Sequence, residues 1–325
     1  MKKMFSLVLV GVLLTMLISG CSSSATNQGS KNEPTEAASG QKTIGVLIAG
    51  QNAPYLASYV KGLQKEAEAQ NVELVILDAE WKIDKQSFQM QNLITKKVDA
   101  IVLNAVDAKA IVPALVKAQS SNIPIIAGNV GLEEEGNKYI KAFTGADSIT
   151  EGQGAAQLIK EALHGKGNIV QIIGSPGMEP TINRKKGFEE ELAKIAPDIQ
   201  IVASEVGGWD KAKSVTAMEN LLTANPDIQG VYAHDDTMAV GAIQALKEHK
   251  KDSIKVVGIG GSAAGIDAIK VGDMYGTNLQ SPVQDGVEAI KVAVKLINKE
   301  NIEFFNYIEI PKITKENVAN FTPEW

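Results

Sequence analysis

At 325 residues the chain is too long for one small domain and about right for two of roughly 140 residues each. Apolar residues make up 44% of it and charged ones 22%, which excludes a disordered, collagen-like or multispan membrane chain. The net charge of −6 repels phosphate backbones, so no nucleic-acid partner is expected, and one cysteine and three dispersed histidines (His164, His234, His249) exclude an intrachain disulfide, a cysteine zinc cluster and histidine-rich metal catalysis.

Lys2 and Lys3 precede an apolar stretch from Met4 to Ile18, about 15 residues long, followed by Ser19, Gly20 and Cys21. A basic start, a short apolar core and small residues at its end spell a secretory signal, too short for a membrane-spanning helix of ~20 residues. The run Leu17-Ile18-Ser19-Gly20-Cys21 resembles the bacterial lipobox, in which the cysteine is lipidated and becomes the first mature residue. Residues 1–20 are therefore expected to be a lipoprotein signal and Cys21 the site of a lipid anchor on the extracytoplasmic face of the cell membrane. Residues 21–41 are rich in Ser, Asn, Thr, Gly and Glu and predict a flexible tether. The folded body begins near Lys42, away from cytosolic ATP and nicotinamide pools, and no cofactor is expected.

From there strand and helix patterns alternate. Strands are expected over Thr43–Ala49, Val72–Asp78, Ala100–Asn104 and Ile123–Ala127, with helices over Tyr55–Gln70, Asp84–Lys97 and Ala108–Ser121 between them. The order resumes with strands at Asn168–Ile173, Ile199–Val206, Gly230–Ala233 and Ile254–Ile259 and helices at Thr181–Ile195, Lys211–Ala224 and Thr237–His249. Short runs of Val, Ile and Leu separated by amphipathic helices predict parallel sheets covered on both faces. The halves echo each other: Met90–Thr95 (MQNLIT) returns as Met218–Thr223 (MENLLT), and Lys61-Gly62-Leu63 as Lys186-Gly187-Phe188, 128 and 125 residues on. Two echoes in register predict two lobes of one topology, their strand ends facing a common cleft.

At this point a resemblance becomes specific. From Lys42 nearly to the end, the chain resembles the periplasmic sugar-binding proteins of the ribose-binding type, the substrate receptors of ABC importers. The segments that carry it are Asn52-Ala53-Pro54-Tyr55, Lys61–Ala67, Arg184–Phe188, Met218–Thr223, Val231–Gly241 and Val256-Val257-Gly258. The resemblance implies a type I periplasmic binding protein fold: two doubly wound parallel-sheet lobes joined by three hinge crossings, near Thr144–Asp147, Leu279–Pro282 and Glu309–Lys312. The lobes would comprise residues 42–145 plus 281–309, and 146–280 plus 310–325. The cores of lac-type repressors share this fold, but here a secretion signal stands where a DNA-reading helix pair would be.

A sugar needs planar polar groups for its hydroxyls and flat apolar surface for its C–H faces. The resemblance implies ligand contacts from Asn52, Tyr55, Asn104, Asn129, Arg184, Trp209, Asp235 and Gln280. Other readings stand beside these: Asn104 as a turn former, one of Asp235 and Asp236 as a helix cap, with Asp236 in the structural role, and Trp209, Tyr55 and Trp81 as lobe packing. Arg184 is the only arginine among 32 basic residues, and its forked guanidinium binds two oxygens where an ammonium cannot. As a half-exposed cleft base it is expected to support affinity and little stability. Departures from the ribose pattern are Asn129-Val130 for an Asp-Arg pair, Gly260 for an Asp and Ala53 for an Asn. They make ribose itself doubtful and point to a less hydroxylated, larger or differently shaped ligand.

Gly258-Ile259-Gly260-Gly261-Ser262-Ala263 matches the dinucleotide G-x-G-x-x-A pattern, but in the second lobe and outside the cell, where nicotinamide is scarce. No phosphate-binding G-x-x-x-x-G-K-[ST] loop and no G-x-S-x-G elbow occur, and Glu133–Glu135 reads as a solvated loop. The expected protein is a lipid-anchored, monomeric, non-enzymatic receptor that closes on a sugar or sugar-like small molecule and is recognised by an ABC permease. The same anatomy would serve a sensor of a furanose-like signalling molecule feeding a membrane kinase, or, third, an extracellular enzyme.

Overall fold

The computed structural model of the protein describes residues 40–325, so the expected signal, Cys21 and the tether as far as residue 39 lie outside the described residues. The first half runs β1 (Lys42–Ile48), α1 (Pro54–Ala69), β2 (Val72–Asp78), α2 (Ile83–Lys96), β3 (Ala100–Leu103), α3 (Val112–Gln119), β4 (Ile125–Gly128), α4 (Glu134–Asn137) and β5 (Ala142–Gly145). The second runs α5 (Ser148–Leu163), β6 (Lys166–Ile173), α6 (Glu179–Ile195), β7 (Asp198–Val206), α7 (Lys211–Ala224), β8 (Gly230–Ala233), α8 (Asp236–Glu248), β9 (Lys255–Gly260), α9 (Ala263–Val271) and β10 (Gly276–Leu279). Then come α10 (Pro282–Ile297), β11 (Phe305–Tyr307) and β12 (Lys312–Thr314).

The strands form two six-stranded sheets, ordered β2-β1-β3-β4-β5-β11 and β7-β6-β8-β9-β10-β12. The two orders correspond strand for strand, which is the architecture expected of a doubly wound two-lobed fold. The first sheet is wholly parallel; the second is parallel except for β12, which runs antiparallel to β10. Strands β3, β4 and β8 are buried along their whole length, because crossover helices cover both faces and leave no wet side. The chain passes between the sheets three times, at 146–147, 280–281 and 308–311.

The repeated Lys-Gly-Leu/Phe segment has a packing cause. In α1, a Cβ on Gly62 would come within 2.3 Å of the Val283 carbonyl oxygen of α10; in α6, one on Gly187 would come within 2.2 Å of the Ile149 carbonyl oxygen of α5. Each lobe thus crosses a helix pair at backbone contact, and only glycine fits the crossing. The MQNLIT and MENLLT echo lies in α2 and α7, where Met90, Leu93, Met218, Leu221 and Leu222 are buried core.

Among the boundaries that differ from expectation, two have a clear local reason. Helix α3 begins at Val112 rather than Ala108, because the Asp107 carboxylate accepts from Lys109 N and Ala110 N at 2.9 and 2.7 Å and holds a turn there. Strand β4 begins at Ile125, after Pro124, rather than at Ile123.

Candidate ligand-binding site

The carboxyl ends of both sheets face one cleft between the lobes, where parallel-sheet folds bind ligands. A cavity, partly open to solvent, lies there. One lobe lines it with Ala53, Tyr55 and Leu56 after β1, Trp81 after β2, and Asn129 and Val130 after β4. The other contributes Met178, Pro180 and Arg184 from the β6–α6 turn and α6, Trp209 after β7, Asp235 after β8 and Ile259 of β9. Gln280, on the second crossing, and Trp325 complete the wall.

Arg184 is anchored rather than half-exposed, which corrects the expectation made for it. Its relative exposure is 4%. Nε donates to the Glu151 carboxylate at 2.8 Å, Nη1 to the His234 carbonyl at 2.7 Å and Nη2 to Gln280 Oε1 at 2.7 Å. Its carbon lies 5.8 Å from the centre of the Trp209 ring, within cation–π range. Glu151 is fully buried, and its Oε1 has no hydrogen-bond partner. Burial raises the Glu151 pKa, and Arg184 pulls it back down. Three of the five guanidinium N–H groups are engaged within the protein.

Asp235 combines two roles that the sequence reading divided between neighbours. Its carboxylate accepts from Met238 N at 2.7 Å, capping α8, while the same residue lines the cavity. Burial pushes its pKa up to about 7, against the helix N–H groups. Asp236 is structural: fully buried, it accepts from Ser262 N at 2.8 Å and Thr277 Oγ1 at 2.7 Å, tying α8 to the turn before α9 and to β10.

On the opposite lobe Tyr55 and Asn129 belong to one network. Tyr55 OH and Asn129 Nδ2 both donate to Asp285 Oδ2 at 2.8 Å, and Asn104 Nδ2 donates to Asn129 Oδ1 at 3.0 Å. Asn104 is fully buried and also accepts from Ala49 N at 3.1 Å, so it stands behind the wall and orients Asn129 instead of lining the cavity. Asn52 is exposed, with Oδ1 accepting from Trp81 Nε1 at 2.6 Å; it holds a wall residue and does not line the cavity either. Tyr55, Asn129, Arg184, Trp209, Asp235 and Gln280 of the expected set do line it.

Sequence reasoning missed Glu151, Asp285 and Trp325. Glu151 lies in α5, whose Gly152 and Gly154 weaken the helical signal. Asp285 sits in the first turn of α10, a place where a carboxylate reads as ordinary helix chemistry. Trp325 has no pattern around it at all. The G-x-G-x-x-A loop is filled: Ala263 N donates to Trp325 O at 2.7 Å, and a Cβ on Gly260 would come within 2.5 Å of the Trp325 ring, leaving no cradle for a pyrophosphate.

Across the cleft the lobes touch. Gly131 N donates to Glu179 Oε2 at 3.2 Å and Ala108 N to Gly177 O at 3.0 Å, each bond joining one lobe to the other.

A family model described as a periplasmic binding protein domain matches residues 44–301. The chain is 35% identical to the xylitol-binding protein of Mycolicibacterium smegmatis, over 87% of this chain and 80% of that protein. It is 31% identical to the ribose import binding protein of Bacillus subtilis, over 93% and 96%. Among solved structures, an ABC transporter solute-binding protein from Bacillus halodurans with bound myo-inositol superposes with a TM-score of 0.83 at 31% identity, covering 88% of this chain and 99% of that one.

Proposed function

The chain belongs to the periplasmic binding protein family, and from that premise we propose that it is a lipid-anchored receptor that closes on one sugar-like molecule held by Tyr55, Asn129, Arg184, Trp209, Asp235 and Gln280. The family is one of extracytoplasmic, non-enzymatic solute-binding proteins of ABC sugar and polyol transporters. The observation that carries the finer reading is the cavity itself. Both lobes build it, and it joins a fixed guanidinium, a carboxylate and two amides to aromatic faces. Amides and charged groups pair with vicinal hydroxyls, while aromatic rings cover C–H faces. Contacts from both lobes stabilise the shut form over the open one, and the shut form is what a permease would recognise.

A thermal-shift screen over sugars, polyols and cyclitols, followed by calorimetry on the hits, tests this reading. A saturable ligand that raises the melting temperature is expected; none across the whole panel would count against it. The anchor is tested separately, since Cys21 follows the apolar segment and small residues directly. Cys21→Ala should leave the protein unprocessed or release it from the membrane fraction. A processed Cys21→Ala form that stays membrane-bound would remove the lipid anchor from the account.

A further inference from the structure

The chain has three tryptophans, and all three line the same cavity. Each ring lies on a glycine at the carboxyl end of a strand. A Cβ on Gly50 would come within 2.2 Å of Trp81, one on Gly174 within 2.0 Å of Trp209, and one on Gly260 within 2.5 Å of Trp325. The strand ends have therefore given up side chains to let indole rings cover them. Two of the three indole N–H groups are spent within the protein: Trp81 Nε1 donates to Asn52 at 2.6 Å and Trp209 Nε1 to Met178 Sδ at 3.1 Å, while Trp325 Nε1 is buried with no acceptor among the described residues. What a ligand meets on these faces is carbon.

Trp325 stands apart from the other two because it does not come from a strand-end loop. Its segment is strapped across the hinge side of both lobes. Ser58 Oγ donates to the Glu324 carbonyl at 2.9 Å; Ser281 Oγ and Val283 N donate to the Glu324 carboxylate at 2.7 and 3.1 Å. Ala263 N, from the opposite lobe, donates to Trp325 O. These ties seat the indole edge-on to Tyr55, with ring centres 5.5 Å apart at 82°.

We propose that Trp325, seated on Gly260, is a specificity-determining residue: its ring face gives the cavity a carbon wall beside the Gln280 amide and selects ligands that present a deoxy carbon or a methyl group to that face over counterparts bearing a hydroxyl. This rests on the receptor reading above and names its ligand class. A hydroxyl pressed on that wall loses its water and finds no partner, whereas a C–H face keeps its dispersion contacts. Apolar pockets discriminate against an added hydroxyl by about a hundredfold at most. Wild type should therefore prefer the deoxy member of a matched pair by roughly tenfold to a hundredfold.

The test is calorimetry on wild type, Trp325→Ala and Trp325→Phe with matched pairs: galactose and fucose, mannose and rhamnose, ribose and 5-deoxyribose, galactitol and fucitol. The deoxy preference is expected in wild type, retained in Trp325→Phe, which keeps an aromatic face, and reduced to about twofold or less in Trp325→Ala, where water can reach the added hydroxyl. Equal affinities within every pair in wild type, or a preference that survives Trp325→Ala, would overturn the assignment. Binding of hydroxylated sugars or polyols with no deoxy member bound overturns it too, and leaves the receptor reading standing. Binding of nothing in the wider screen removes both.

Discussion

Glu151, the His234 carbonyl and Gln280 converge on the Arg184 guanidinium from three separate elements. A lysine at this position would keep one charge but present a single ammonium where a planar fork now reaches three acceptors. The Glu151 carboxylate would remain fully buried with a poorer partner. Breaking a buried pair by removing one partner costs about 3–5 kcal/mol. Arg184→Ala should approach that loss, and Arg184→Lys should lose roughly 1–3 kcal/mol, the usual worth of charge-assisted hydrogen bonds. Ligand affinity should fall with both, by about tenfold or more for Arg184→Lys. Urea unfolding and calorimetry measured together decide it. Unchanged stability with lost affinity would mean that the buried pair with Glu151 contributes nothing to the fold. That Arg184 stands out, and lines the cavity, was legible from its being the only arginine in the chain. Its burial was not, because the partner that draws it inward lies 33 residues away in a helix with a weak local signal.

The ends of the first lobe's strands are held by a layer of polar side chains, and α10 supplies its acid. Asp285 is fully buried, with Oδ2 accepting from Tyr55 and Asn129 and Oδ1 unpaired. Burial pushes its pKa up to about 7, against the lowering effect of those two hydrogen bonds. An acid whose folded pKa lies above its unfolded value favours folding most below the unfolded value, and that contribution is lost as pH rises through the folded one. The window here runs from about 4 to about 7. Asp285→Asn removes the titration and keeps an acceptor oxygen. Its melting temperature relative to the parent should therefore become progressively more favourable between pH 4 and pH 7. A pH-independent difference between the two melting curves would exclude a raised Asp285 pKa. The duplicated strand-helix order was legible through the echoes in α2 and α7 and through Gly62 and Gly187, since packing constraints repeat where topology repeats. Helices α5 and α10 were not read, although they cross the helices that carry those two glycines. Gly152 and Gly154 lower the local helical propensity of α5, while Gly152 serves a crossing in which its Cβ would lie 2.3 Å from the Arg184 carbonyl oxygen.

In the closing mechanism proposed above, a small contact between the lobes carries weight. Glu179, in the first turn of α6, is 8% exposed and gathers three donors: Asn183 Nδ2 at 2.6 Å and Ser148 Oγ at 3.2 Å from its own lobe, and Gly131 N at 3.2 Å from the other. Among the described residues the Gly131 bond and the Ala108–Gly177 backbone bond join the lobes there, so on that mechanism each would weigh directly on the balance between shut and open forms. A bond made only in the shut form shifts that balance by its full worth, and a ligand that binds the shut form pays the same amount back in affinity. Removing the side chain with Glu179→Ala should weaken the shut form by about 1–3 kcal/mol. Affinity should then fall by roughly fivefold to a hundredfold, although Glu179 does not line the cavity. Small-angle scattering separates this from a lost ligand contact. Unliganded Glu179→Ala should show a larger radius of gyration than the unliganded parent, and both should reach the same value at saturating ligand. Lower affinity with identical unliganded scattering would mean that the unliganded parent is already almost wholly open, or that Glu179 acts on the binding wall. An unchanged affinity would mean that the Gly131 bond is made equally in the open form.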